Sequence, residues 1–487
     1  MAQPVRHNHA ALRPAATDAA LRRAARRAAA IAFALSYLLY ALAIVLPLES
    51  KRAAHDESTY HLPTIRALAD AAASPDLRID LTDLRTATTP GYHAALALPD
   101  AALDLDLTVL RLLSAAFAAA ALALAAFLVV RLGRGALSTA AVLLLLAPLA
   151  LNLYVFSSAT HLLPDNAGWL LVFAVLTLAI AGVDRLSRVA LAAWLLLALV
   201  LVRQIHAWAA GLVLAAAWLD AAPHHNHRFR FLTARLPDRV RATVIAGLAV
   251  LPALAVTLAF VALWGGLVPP AFQGDYLDPL TGRPAPGNTG ASPAFFIVTL
   301  ASIGLYAPFF LPTLWPPLRR HLAHAPRRRL IPVVAAGLAA AALAAVPESS
   351  TSVDAGRFSA WWNLTGRFTI ADRAPLMIAL AALGGSLAAL LAPLIPKRTA
   401  LLFLGALLGI TLAHTFNSRS FFRYVEPLTL LLLAGSTAAA AAPPDPTTIP
   451  GETHPTVRPS LPTRFILGPA ALAAAFLLIL VTTYRPA

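Results

Sequence analysis

The sequence predicts an all-α, polytopic membrane protein of about thirteen transmembrane helices. Three observations carry that expectation. Hydrophobic residues make up 59% of the 487 residues against 13% charged, and the mean hydropathy of +0.71 leaves too little polar surface for a soluble domain. Apolar runs of roughly bilayer length recur from one end of the chain to the other. Between them, Arg and Lys collect in alternate connections, as expected of a chain that crosses back and forth.

The runs fall at 29–48, 110–130, 136–156, 167–183, 189–202, 207–221, 243–264, 293–315, 330–346, 375–395, 399–415, 427–443 and 465–483. The first follows the basic cluster Arg22, Arg23, Arg26 and Arg27 and ends at Leu48-Glu49 without a small-residue cleavage pattern, so it reads as a span and not as a cleaved signal peptide. With the amino terminus in the cytoplasm, the inner connections hold Arg131 and Arg134, Arg185 and Arg188, Arg228 to Arg241, Arg319 to Arg329, and Lys397 with Arg398. The net charge of +15 then belongs to topology, and no nucleic-acid partner is expected. Alanine dominance with only two lysines, Lys51 and Lys397, is the usage of a high-GC bacterial genome, which makes the inner (plasma) membrane the expected location. Cysteine is absent, which removes disulfides, thiolate nucleophiles and cysteine metal sites.

The outer connections are 49–109, 157–166, 203–206, 265–292, 347–374 and 416–426. They hold nearly all the acids, so the working face is expected to be extracytoplasmic. In the first of them, Pro63–Ala73 and Pro99–Leu107 have the mixed character of short helices lying on the interface. Residues 1–442 read as one membrane unit, 443–464 as a Pro/Thr-rich cytoplasmic linker, and 465–487 as a terminal span. There is no strong internal repeat, no phosphate-cradling Gly-rich loop and no zincin motif, which argues against an ATP-driven pump or a membrane zinc protease. The tract His224-His225-Asn226-His227 lies in a basic inner loop without acids and reads as solvated, and Asn363-Leu364-Thr365 reads as a chance match to a glycosylation acceptor.

Chemistry concentrates after the first span, at His55-Asp56-Glu57-Ser58-Thr59-Tyr60-His61-Leu62-Pro63. Two adjacent acids there can serve as a base toward a sugar hydroxyl or hold a cation beside a phosphate; equally, they can be a solvated helix start. Farther along the same loop comes the turn Thr88-Thr89-Pro90-Gly91-Tyr92. Arg203 stands at a membrane boundary, where a guanidinium either holds a phosphate or snorkels to the interface. Its neighbours Gln204 and His206 could contact sugar or phosphate, although an interfacial His is often structural. Asp165-Asn166 begins the fourth run and is also an ordinary helix cap. Trp361-Trp362 could stack on sugar rings or mark the interface.

The acid pair, His61-Leu62-Pro63 and the Thr-Thr-Pro-Gly-Tyr turn together resemble the first lumenal loop of the dolichyl-phosphate-glucose alpha-1,2-glucosyltransferases, within the GT-C superfamily of membrane glycosyltransferases. This chain has one proline where that family's turn carries two. Leu201-Val202-Arg203-Gln204 resembles the family's Leu-x-Arg-Gln step, and Gly274-Asp275 its later Gly-Asp. Pro164-Asp165-Asn166 sits where the superfamily often carries a second acid, and Arg423-Tyr424 with Glu426-Pro427 resembles a late Arg-Tyr motif. The resemblance implies a GT-C-like fold with Asp56 as catalytic base and Glu57 next. It implies donor phosphate and sugar contacts from Arg203, Gln204, His206 and Arg423, with His61, Thr89, Tyr92, Asp165 and Asp275 as further site candidates.

The expected function is transfer of a hexose, glucose first, from a polyprenyl-phosphate sugar to an extracytoplasmic glycan or lipid-linked acceptor. The alternatives are a transporter or flippase of a lipid-linked or polar envelope substrate, which would need ionisable groups near the bilayer midplane, and a non-catalytic scaffold. No cofactor is required. A divalent cation, Mg or Mn, could be accommodated beside a phosphate, but no His/Asp/Glu set has decisive ligand spacing, and no metal ligands are assigned.

Overall fold

The computed structural model describes residues 13–75, 79–221, 236–273, 294–323, 330–346, 364–416, 422–442 and 466–486. A long helix α1 (Arg13–Val45) leads through the short strand β1 (Leu48–Glu49) into α2 (Lys51–Asp56), α3 (Leu62–Ala73) and α4 (Gly91–Leu103). The bundle continues with α5 (Leu107–Leu132), α6 (Thr139–Ala150), α7 (Leu153–Thr160), α8 (Asp165–Ala181), α9 (Leu186–Val202), α10 (Ala210–Asp220) and α11 (Leu236–Trp264). It is completed by α12 (Ala294–Ala323), α13 (Ile331–Ala345), α14 (Pro375–Leu391), α15 (Lys397–Thr415), α16 (Glu426–Ala441) and α17 (Leu467–Thr483), after which β2 (Arg485–Pro486) pairs antiparallel with β1.

The protein is all-helical because Ala and Leu, the strongest helix formers, dominate each run and polar caps punctuate them. Asp106 and Ser138 accept the Val109 and Ala141 amides at the starts of α5 and α6. Among the described residues, six helices are long and apolar enough to cross a membrane: α1, α5, α11, α12, α14 with its continuation to Leu394, and α15. The pair α6 and α7, bent by 79°, meets the same test only when taken together. Apolar runs at α8, α9, α13, α16 and α17 form helices of at most 17 residues. At 1.5 Å per residue these reach about 25 Å, short of a hydrocarbon core of about 30 Å.

Small residues let the helices touch. Gly304 on α12 and Gly384 on α14 face each other, and a Cβ on either would overlap the carbonyl oxygens of Leu380 and Leu300. Such backbone contact is how apolar helices gain packing energy where no hydrophobic driving force separates them from lipid.

The connections gather at two ends. At one, Arg131 at the close of α5 bonds Asp18 at 2.9 Å, and Arg398 at the start of α15 bonds Asp220 at 2.7 Å and reaches the carbonyls of Ala179 and Ile180. At the other lie α2 to α4, the α7–α8 and α9–α10 connections, and residues 422–424. The site forms at this second end.

The first loop folds onto the bundle through a small core of Ile65, Leu68, Tyr92 and Leu96 against Leu110 and Leu162. Arg66 pins α3 to α4 by donating to Asp100 at 2.7 Å and to the Leu105 carbonyl at 2.7 Å. α3 lies where the sequence reading put an interfacial helix. The second such segment is corrected: the helix starts at Gly91 and ends at Leu103, where Asp104 turns left-handed at φ 48°, so Pro99 lies inside it instead of opening it. Packing explains the shift, since Tyr92, His93, Leu96 and Ala97 all bury on one face, and a Cβ at residue 91 would come within 2.6 Å of the Leu201 oxygen.

One buried charge fixes the loop. Arg111 stands inside the apolar α5, 8% exposed, and Glu57, 2% exposed, meets it with Nε–Oε2 3.0 Å and Nη2–Oε1 2.6 Å. Glu57 also accepts the Leu162 amide at 2.8 Å, and Glu49 takes a second Arg111 bond at 3.1 Å. Removing one partner of such a pair leaves an uncompensated buried charge. Arg111→Met is therefore expected to cost about 3–5 kcal/mol, seen as a lower thermal midpoint in detergent, and Arg111→Met with Glu57→Gln to recover much of the loss.

Candidate functional site

Four charged side chains converge at the mouth of the bundle, joined by Arg52 in the wall of the cavity there. Asp165 is the first residue of α8, where the helix N-terminus favours a carboxylate. Arg203 closes α9 with extended backbone, φ −158°, which turns its side chain back across the mouth to ion-pair with Asp165. The Arg203 guanidinium also lies 5.4 Å from the centre of the Tyr424 ring, and Arg423 lies 5.0 Å from the same ring while donating to the Tyr424 hydroxyl at 3.0 Å. Behind it, His414 stacks on Tyr424 at 4.6 Å and on Phe295 at 4.6 Å, so three rings in a column back the two cations. Cation–π contact with the shared ring adds to the attraction of Asp165 and Asp56 in holding two like charges close.

Asp56 supplies the fourth charge. It ends α2 immediately before a π-helical turn, Glu57–His61, in which the Leu62 amide reaches back to the Glu57 carbonyl. That wide turn aims Glu57 at Arg111 and leaves Asp56 facing a cavity of about 90 Å³, whose walls include Arg52, Tyr154, Ser157, Asp165 and Arg423. Burial raises the Asp56 carboxyl above its ordinary range, against the opposing pull of Arg423 and Arg52. Burial also works against the charge of Arg423, but Tyr424, Asp165 and Asp56 more than restore it, so its pKa is raised and it stays cationic.

His61 joins the site from the far side of the turn. Its Nδ1 lies 2.9 Å from His93 Nε2 with the rings stacked at 5.2 Å. Burial lowers His61 to about 4 and puts His93 well below the usual histidine range, so both are neutral at neutral pH.

The other sequence candidates hold the site together. Gln204 spends its amide on the backbone: Nε2 donates to the Ala87 and Leu267 carbonyls at 2.9 and 2.8 Å, and Oε1 accepts the Thr89 amide at 3.1 Å. Thr89 Oγ1 donates to the Val200 carbonyl at 2.7 Å, and the Tyr92 hydroxyl meets Ser114 at 2.9 Å. The Thr-Thr-Pro-Gly-Tyr turn is thus stitched to the end of α9. His206 is buried beside Trp169 at 5.1 Å and accepts from Trp208 at 3.3 Å, away from the cavity walls. Glu57 is committed to Arg111 and does not face the cavity. Asp275 lies outside the described residues, as do Trp361-Trp362 and the 443–464 linker.

Sequence reading missed Arg111, Arg52, Tyr154, Ser157 and His414. Arg111 alone had a signal, a cation within an apolar run that demands a buried partner. The others are ordinary residue types whose meaning comes from where folding puts them.

Among the described residues, no group of three or more His, Asp or Glu is placed to hold a metal ion. Asp165 already accepts from Arg203, and guanidiniums supply the positive charge that a cation would bring to a phosphate there. Compared with protein-family models, curated proteins and solved structures, the chain finds no match.

Gln204→Leu keeps the volume and deletes the stitching. The buried Thr89 amide then loses its acceptor, which is expected to cost about 1–3 kcal/mol and to appear as a lower thermal midpoint with the helical signal at 222 nm unchanged at low temperature.

Proposed function

We propose that the chain is a membrane glycosyltransferase that moves a hexose, glucose first, from a polyprenyl-phosphate sugar to an extracytoplasmic glycan or lipid-linked acceptor. The observation that carries the reading is the convergence of Asp56 and Asp165 with Arg203 and Arg423 at one cavity mouth. Counting the five shorter apolar helices and the bent pair with the six long ones gives twelve crossings, and α10 as a further pass gives the thirteen expected; on that reading the cavity, at the end opposite Arg131, Arg188 and Arg398, is extracytoplasmic.

Each group then has a task. The Asp56 carboxylate takes the proton of the acceptor hydroxyl as that oxygen attacks the anomeric carbon, and the bond from that carbon to the phosphate oxygen breaks, its electron pair leaving with the phosphate. Arg203 and Arg423 meet the charge that develops on the leaving group, with guanidinium forks suited to phosphate oxygens. Asp165 keeps Arg203 aimed. A second cavity of about 500 Å³ has an apolar lining that suits an isoprenoid chain and runs from Thr429 and Leu300 to Ala400 and Leu401 beside Arg398.

The test is transfer of radiolabelled sugar from polyprenyl-phosphate donors in membranes carrying wild type or variants. Asp56→Asn is expected to lower transfer about 10²–10⁴-fold at equal protein level. Arg423→Gln is expected to lose about 10²-fold or more, as removal of a donor to developing negative charge does. Transfer requires Asp56 deprotonated, so kcat/KM should rise with pH through its pKa, and its acid limb should lie above that of a solvent-exposed aspartate, near 3.9. Equal transfer by wild type and Asp56→Asn would remove the base assignment. No transfer by wild type from any glucose, mannose, galactose or arabinose donor would sink the enzymatic reading and leave the transporter.

A further inference from the structure

The last described residues of the chain return to the site. After α17, Tyr484 turns extended, at φ −91° and ψ 134°, and its ring buries to 7% exposure against Phe156 at 5.1 Å and His161 at 6.2 Å. Its hydroxyl donates to Ser157 Oγ at 2.9 Å and lies 3.2 Å from Thr160 Oγ1. The two residues that follow pair with the start of the first loop, Arg485 opposite Glu49 and Pro486 opposite Leu48.

These contacts fall on the two sides of the catalytic cavity. Ser157 is part of one wall, on α7 beside Tyr154. Leu48-Glu49 leads without a break into Ser50, Arg52 and Asp56, which form the other wall. Glu49 also bonds Arg111, the partner of Glu57, so the same strand pair bears on the residue next to Asp56. A two-stranded pair of two residues each is marginal by itself. Tyr484 is what anchors it, because its ring and its hydroxyl fix one end while the strand pair fixes the other.

We propose that Tyr484–Pro486 is a strap that sets the spacing of the two cavity walls, and that Tyr484 is a positioning residue for the acceptor hydroxyl. The strap's hydrogen bonds go to Ser157 and Thr160 and its strand pairs with Leu48 and Glu49, whereas Arg203 is paired with Asp165 and Arg423 bonds Tyr424. Loosening it is expected to act first on the acceptor, because the strap bonds the Ser157 wall and leads into the Asp56 wall. This rests on the glycosyltransferase reading for its kinetic part only.

The chain has no cysteine, so a single introduced thiol reports on one place. Ser50→Cys puts it on the cavity wall at a residue 7% exposed, and its rate of labelling by a polar maleimide measures how tightly the wall is closed. In the full-length protein in nanodiscs, Tyr484→Ala is expected to speed labelling several-fold, with Tyr484→Phe between it and the parent. Equal rates in all three would overturn the strap whatever the enzyme does. Leu48→Cys with Pro486→Cys should crosslink on mild oxidation, since antiparallel partners bring their Cα atoms within about 5.5 Å, and failure to crosslink would overturn the pairing. With the parent active, Tyr484→Ala should raise the acceptor KM about tenfold, within the roughly 10²-fold that a 1 Å misplacement can bring, with donor KM unchanged. A fall in kcat alone, with both KM values kept, would mark Tyr484 as a folding residue and overturn the positioning role. Absence of transfer by the parent would end the glycosyltransferase reading, and the labelling rates would still decide the strap.

Discussion

The arrangement of this molecule turns on Arg111. A guanidinium inside an apolar helix has to be met by charge, and α5 offers none of its own. Glu57 and Glu49 come from the first loop to meet it, and in doing so they carry α2 and the π-helical turn down onto the bundle. Because Glu57 faces inward, its neighbour on the helix cannot. Asp56 is thereby turned toward the cavity, opposite Asp165 and Arg423. The acid pair is not two copies of one function: one carboxylate anchors, and anchoring is what aims the other.

A second constraint acts on the cations. Two arginines at one mouth repel, and burial makes each costly. The structure answers with one carboxylate, Asp165, and one aromatic face, Tyr424, shared between them, with His414 and Phe295 stacked behind that ring. Asp56 faces the same cavity and Arg52 lines it, so among the described residues two carboxylates meet three guanidiniums there, and the excess charge is of the sign that a phosphate would complement.

Much of the architecture was legible in the sequence because its signals are one-dimensional. Helical content follows from Ala and Leu runs, and the grouping of Arg131, Asp220 and Arg398 at one end follows from the alternation of basic loops. Several residues of the charged cluster were legible for a different reason: Asp165, Arg203 and Arg423 are charges at the edges of apolar runs, where each needs a partner, and Asp56 belongs to an acid pair in a loop that resembles a family motif. Their partners were not legible. Nothing at position 204 says that a glutamine will join Ala87, Thr89 and Leu267, because that depends on three chain segments meeting. The start of α4 was misplaced because Pro99 carries a strong local signal, which burial of Tyr92, Leu96 and Ala97 outweighs.

The histidines complete the electrostatic argument. His61 and His93 approach to 2.9 Å, a distance that two imidazolium ions could not hold, and burial keeps both neutral down to about pH 4 for His61. Arg423 stays charged at any pH the protein meets. Of these groups beside the cavity, Asp56 is the one whose burial pushes its charge toward loss as the pH falls, while its neighbours hold theirs constant. A site built this way has a positive side that does not titrate and a single carboxylate that does, which separates holding an anion from moving a proton. Transport of an anion needs only the first of these; the placement of Asp56 beside the cavity, freed from ion pairing with Arg111 by its neighbour, makes sense when the second is needed as well.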